Sequence, residues 1–403
     1  MEENTNERKI IMFKKYKSTK GITLVALVVT IIILLILATI SIQSLTNTGL
    51  FAKAQEAKEK TQNAEENQAR ILNEYEDELN KYVSGTVKET FKGATVVEAI
   101  QYANILNKND NTELQDAYGN KIVVPAGFKI KANSTTNNAA TVNQGIVIID
   151  SNENEFVWIP VGKIYTDVEK TEKNAKTIEL GRYDFDKTTG AKSAHSGSYV
   201  EEDVNDASTL TNTENKAIAK NITNFKNSIA TNGGYYIGRY EARTEIVRNN
   251  ETDPITPVTI KGTDQVYNYV TQIQAAQLSQ NMYNSNKFTS DLMNSYAWDT
   301  AILFLQTFGE DKYSIKKNVN ASLATTGTND TTKYTGTQDV QCNVYDMASN
   351  IYEWTTETTG DSYSPCVYRG GSCYNDYGYA SFRGDYTTSG SNASAGFRPI
   401  LFV

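Results

Sequence analysis

Asn343-Val-Tyr-Asp-Met-Ala-Ser-Asn-Ile-Tyr-Glu-Trp354, Tyr368-Arg-Gly-Gly-Ser-Cys373 and Ala395-Gly-Phe-Arg398 are the stretches whose reading decides the fold. Glu353 and Arg369 are charged residues set among aromatic residues and glycines, and buried charges persist only when paired. Gly370-Gly371 can take backbone conformations closed to other residues and so permits a sharp turn after a strand. The run from Phe397 to Val403 is long and apolar enough for a central or pairing strand. Asn350, Glu353, Trp354, Arg369, Gly370, Gly371, Phe397 and Arg398 are therefore expected to be structural.

Upstream of this block, Lys121-Ile-Val-Val-Pro, Gly145-Ile-Val-Ile-Ile-Asp and Glu155-Phe-Val-Trp-Ile-Pro-Val read as short strands between turn clusters. Asp150-Ser-Asn-Glu-Asn is turn chemistry, which makes the last two a hairpin. Polar tracts at 131–144 and 184–212 read as surface loops without a motif. His195, the one histidine, falls in the second tract and is expected to be solvated. A helix is expected from about Thr213 to Gly233, with Ala217, Ile218, Ile222, Phe225 and Ile229 on one face. An alternating aromatic strand follows at Gly234-Tyr-Tyr-Ile-Gly-Arg-Tyr-Glu-Ala, then helices near 271–283 and 290–308.

The amino-terminal part differs in kind. Ile22 to Ile42 reads ITLVALVVTIIILLILATISI, and no charged residue stands between Lys20 and Lys53. As a helix it would extend about 31 Å, close to the ~30 Å hydrocarbon slab of a bilayer. Six basic residues against three acids in 1–21 place that end in the cytoplasm and the rest outside, so one membrane span is expected. Residues 50–83 lack glycine and proline and carry a Leu72, Tyr75, Leu79, Tyr82 stripe, the pattern of a stalk helix.

Composition excludes several function classes. With 39 basic and 47 acidic side chains, the 403-residue chain carries a formal charge of −8, which argues against a nucleic-acid partner. Three cysteines without a CxxC pair and a single histidine leave no thiolate zinc site, catalytic triad or histidine metal set. No GxSxG elbow, phosphate-cradling glycine loop or HExxH helix occurs.

Lys20-Gly21-Ile22-Thr23-Leu24-Val25 resembles the prepilin cleavage site of type IV pilins and pseudopilins. The resemblance implies a prepilin peptidase as partner, cutting between Gly21 and Ile22 and methylating the new terminus. Ala26 stands where that family has a glutamate, so a tip or lone membrane-held role is expected over repetitive polymerisation with other pilins.

The 343–398 block resembles the formylglycine-generating-enzyme (sulfatase-modifying) family, a variant of the C-type-lectin fold, with Phe156-Val-Trp-Ile-Pro and Tyr235-Tyr-Ile-Gly-Arg-Tyr-Glu matching earlier strands. The expected architecture is α+β. A basic leader occupies 1–21, a transmembrane helix 22–45, a stalk 46–84, a linker and strand region 85–145 and the head 146–403. In that family two cysteines bind copper; their positions here are Asn375 and Ala380, which offer no soft sulfur ligand. Loss of catalysis is therefore expected, with no catalytic residue, no metal ligand and no cofactor. A structural calcium ion, found in some relatives, is assigned to no residue. Cys342 and Cys366 are expected to form a disulfide.

Between Asp361 and Arg398 stand six Tyr, seven Ser, six Gly and two Asn, the composition of antibody loops. Tyr374, Asn375, Asp376, Tyr377, Tyr379, Asp385 and Tyr386 are the expected face for a protein or glycan ligand. The interval from Arg369-Gly-Gly-Ser372 to Gly396-Phe-Arg398 resembles the mutable segment of variable proteins from diversity-generating retroelements. The leading expectation is a surface-displayed binding or adhesion protein. Two alternatives are an oxidase using Cys366 and Cys373, and a structural pilus or pseudopilus subunit.

Overall fold

Two units make up the chain, Met1–Val87 and Lys88–Val403. The computed structural model describes residues 24–47, 58, 61, 95–101, 106–131, 141–201, 217, 219–220, 222–317, 339–372 and 378–403. The leader, Gly21, Ile22 and, apart from residues 46, 47, 58 and 61, the stalk lie outside the described residues.

In the first unit Leu24–Asn47 is a helix of 24 residues without charge, glycine or proline. Thr30 and Thr39 donate their hydroxyls to the carbonyls of Ala26 and Leu35 at 2.7 and 2.6 Å, so these polar groups are satisfied within the helix. Its apolar side chains are exposed all round, Leu34 at 60 % and Leu35 at 63 %. Side chains are described only over 26–40, and among the fully described residues no helix is long and apolar enough to cross a membrane. The backbone helix is longer than that stretch, about 36 Å at ~1.5 Å per residue.

The second unit is mixed α/β. Its larger sheet has six strands in the order Thr289–Leu292, Pro399–Phe402, Gly234–Gly238, Glu155–Pro160, Val147–Ile149, Lys129–Ile130, every pair antiparallel. Lys129–Ile130 comes from the region read as linker and forms the sheet edge. The 147–160 hairpin turns where the Asp150 carboxylate accepts the N–H groups of Asn152 and Asn154, each at 2.8 Å. The Ile222–Asn232 helix packs on this sheet, Phe225 meeting Tyr235 and Phe402 with ring centres 5.3 Å apart in each case.

A second, four-stranded sheet runs Arg383–Tyr386, Cys366–Arg369, Tyr352–Thr358, Ala395–Phe397, the last pair parallel. One face presents Tyr352, Trp354 and Tyr368; the other presents Glu353, Glu357 and Arg369, with Glu353 opposite Arg369 across the ladder.

Several expectations need correction. The terminal run does hold an interior strand, Pro399–Phe402, paired on both sides in the large sheet, but Phe397 falls before it in Ala395–Phe397 of the small sheet. Arg398 is the crossing point. Its guanidinium donates to both Glu353 oxygens, and to the Gly238 and Tyr345 carbonyls at 2.8 Å each. The helix expected from Thr213 begins only at Ile222. Before it, the Ala217 N–H is taken by the Gln272 side chain and the Lys220 N–H by Asp291, tertiary ties that replace helical bonds. The 290–308 segment divides into a strand, Thr289–Leu292, and a helix, Ser295–Phe308, because the Asn294 side chain accepts the Ala297 N–H at 2.9 Å and caps the helix there. Cys342 and Cys366 are both thiols and are not joined.

Candidate functional site

The site forms where the 183–199 segment meets the turn preceding the Arg383–Tyr386 edge strand. Tyr183–Phe185 and Lys192–Ala194 pair as a hairpin, so this part of the presumed loop tract is ordered structure. The strap that follows is fastened repeatedly. His195 Nδ1 lies 2.7 Å from Asp184 Oδ1, Tyr199 donates its hydroxyl to Asp385 at 3.1 Å, and Val200 pairs with Thr358. The Glu201 carboxylate accepts the Ser295 N–H at 2.7 Å and the Thr356 hydroxyl at 2.5 Å.

Opposite this strap, Tyr379–Ser381 is held from behind: the Ala380 and Ser381 N–H groups donate to the carbonyls of Lys316 and Ser314 at 3.0 and 2.9 Å. Between the two walls runs a groove of about 410 Å³ lined by Lys187, His195, Tyr199, Tyr379, Phe382 and Arg383 among others. The Tyr379 and Phe382 rings stand 5.7 Å apart edge to face, and Phe382 continues into Tyr352 and Tyr368 at 6.0 and 6.2 Å. Burial, with help from Tyr352, pushes the Tyr368 phenol up to about 12.

An ionic cluster runs from the groove lining, where Asp184 and Arg383 stand, into the buried interior beneath it. Arg369 reaches Asp299 at 2.5 Å and Glu357 at 3.2 Å; Arg383 reaches Glu357 at 3.1 Å, Asp184 at 3.4 Å and also Asp299; Arg182 holds Glu357. Burial alone would raise Glu357, but the guanidiniums of Arg369, Arg383 and Arg182 outweigh it and hold the carboxyl below its ordinary value. Asp184 is lowered in the same way: burial opposes its charge, and His195, the Ser196 N–H and Arg383 overcome it.

Of the residues read as a binding face, Tyr379 lines the groove and Asp385 sits at its rim through Tyr199. Tyr386 is 45 % exposed on the edge strand, outside the groove lining. Cys373, Tyr374, Asn375, Asp376 and Tyr377 lie outside the described residues. His195 corrects the expectation of a solvated side chain: its ring is 5 % exposed. The roles of Lys187, Tyr199 and Arg383 went unread because their partners are distant in sequence; the Tyr199–Asp385 bond spans 186 positions.

The motif residues build structure around this site. Arg369 belongs to the ionic cluster and Trp354 donates its indole N–H to the Val270 carbonyl at 2.9 Å. Phe397 stacks beside Tyr267 at 5.5 Å, and Asn350 donates to buried Glu241. A Cβ on Gly371 would stand 2.0 Å from the Ala348 carbonyl oxygen; Gly370 has φ +84°, and its Cβ would stand 2.7 Å from that of Met347. Only glycine fits this turn.

A second acidic group, Glu241, Asp339, Asp346 and Glu353, is buried with Arg243 and Arg398. Burial, then the Asp339 charge, pushes Asp346 up to about 8. Among the described residues no group of His, Cys, Asp and Glu is placed to hold a metal ion. At the copper-thiol position Ala380 is fully buried, and its carbonyl accepts the Trp298 indole N–H at 2.9 Å.

No family profile and no curated protein matches the chain. Among solved structures, Treponema denticola variable protein 1 is similar over 42 % of this chain and 85 % of that one, at 16 % identity and a TM-score of 0.26. The crystal structure of CarF is similar over 34 % of this chain and 68 % of that one, at 16 % identity and a TM-score of 0.25.

Proposed function

We propose that the chain is a display protein, held in the membrane by its charge-free helix after prepilin-type processing at Gly21/Ile22. Its C-type-lectin-like second unit binds another molecule outside the cell. The observation that carries the reading is the groove beside the tyrosine-rich segment, walled by aromatic side chains on a rigid, internally bonded support. The unit works by binding and not by catalysis: the motif charges are spent on one another, and alanine fills one copper-thiol position. The interval containing 374–379 is the segment in which retroelement variable proteins carry their mutable residues, and this chain is read as such a protein.

The test uses the full chain in detergent micelles, applied to arrays of cell-surface glycans and proteins beside its Tyr379→Ala variant. Binding that is lost with the Tyr379 ring supports the reading. Signals unchanged by the substitution place recognition elsewhere and refute it.

A further inference from the structure

The groove carries one ammonium that lies over a tyrosine ring and that no carboxylate answers. Along the groove and beneath it three guanidiniums, those of Arg182, Arg369 and Arg383, meet three carboxylates, those of Asp184, Asp299 and Glu357; Asp184 and Arg383 are themselves lining residues and lie 3.4 Å apart. On the same hairpin Lys192 is paired with Glu179 at 2.6 Å. Lys187 is different: among the described residues its ammonium meets no carboxylate and lies 5.8 Å from the centre of the Tyr379 ring. The adjacent acid, Asp186, faces the Thr188 and Thr189 N–H groups instead. In a chain of net charge −8, a cation in a cleft that no carboxylate pairs with is a candidate place for an anion.

Part of the main chain of both walls is already engaged. The Tyr199 carbonyl accepts from Arg182 and faces His195, Val200 is paired with Thr358, and the Ala380 and Ser381 N–H groups point back to Lys316 and Ser314. What faces the groove is aromatic rings, Ser198 and Ser381, Lys187, and the mutually engaged Asp184, His195 and Arg383. The volume of about 410 Å³ falls at the small end of ligand pockets, which run from ~300 to 1,000 Å³.

Building on the function proposed above, we infer that the groove takes an anionic sugar, its ring laid against Tyr379 and Phe382 and its acid group on the Lys187 ammonium. A neutral sugar would leave that ammonium without an anion. An acid without a ring would leave the aromatic faces bare.

The experiment titrates the full chain in micelles, at low salt, with glucuronic acid, glucose 6-sulfate, glucose and glutaric acid, following heat or NMR shifts. At least one acidic sugar is expected to bind about tenfold more tightly than glucose. Whether carboxylate or sulfate leads identifies the anion. The advantage disappears in Lys187→Met and in 0.5 M salt, where the screening length falls to a few ångströms. Lys187 is exposed, so unchanged tryptophan fluorescence will show that the variant is folded. The inference is overturned by equal affinity for glucose and both acidic sugars, by an acid preference that survives Lys187→Met, by glutaric acid binding as well as the sugars, or by no binding at all. Array signals that depend on Tyr379 without any acid preference would sink this inference and leave the proposed function standing.

Discussion

Replacing Arg398 with Met removes the side chain that joins the two sheets. The guanidinium gives up its contacts to Glu353, at 2.9 and 2.5 Å to the two oxygens, and those to the Gly238 and Tyr345 carbonyls. Glu353 is 1 % exposed, and burial raises its carboxyl against the pull of Arg398, so it is left as an unanswered acid in the interior. Breaking a buried pair from one side costs about 3–5 kcal/mol, and each orphaned carbonyl adds about 1 kcal/mol or more. A loss of at least about 5–7 kcal/mol is expected, a large part of the ~5–15 kcal/mol that holds a domain folded. Glu353→Met alone should cost about 3–4 kcal/mol. The double variant should cost only about 3 kcal/mol, because no unpaired charge remains. Urea unfolding read by tryptophan fluorescence suits this cycle, since Trp158, Trp298 and Trp354 all lie buried in the second unit. If Arg398→Met falls within 1 kcal/mol of the parent, or the two single losses simply add, the stapling argument fails.

Other outcomes follow from the same geometry. Gly371→Ala should destabilise by more than about 2 kcal/mol, because its Cβ would sit 2.0 Å from the Ala348 carbonyl oxygen; a thermal melt checks it, and an unchanged midpoint refutes the tight turn. Glu201 is pushed up to about 7 by burial, so the folded state holds its proton longer than the unfolded chain does. Its contribution is complete below the ordinary value of 4.5 and is lost as pH rises through 7, so Glu201→Gln should gain on the parent in melts at pH 8 relative to pH 4.5. In a Cys373→Ser background, neither Cys342, whose thiol burial pushes up to about 12, nor buried Cys366 should react quickly with a maleimide at pH 7. Both should react in urea without prior reduction.

The parts of the fold written in local chemistry were open to sequence reading. The 147–160 hairpin could be read because Asp150 makes its own turn, and the buried strands because their apolar runs end at turn residues. Boundaries set by distant partners could not. The 213–221 segment has helix-forming composition, yet Gln272 and Asp291 hold part of it outside the helix. Asn294 was a usable signal: a cap residue before Ser-Tyr-Ala would have separated the strand from the helix. Within the site, Tyr379 stood out by composition. Lys187, His195 and Tyr199 did not, because their part in the groove arises only when the hairpin packs beside the Tyr379–Arg383 turn.

The most direct trial of groove-mediated recognition is a difference measurement on surface arrays, comparing the intact chain in micelles with its Tyr379→Ala counterpart after both have been shown to unfold at the same urea concentration. The parent should mark a discrete set of ligands and the variant should lose them. Ligands retained at full strength by a folded variant would contradict a binding role for this groove.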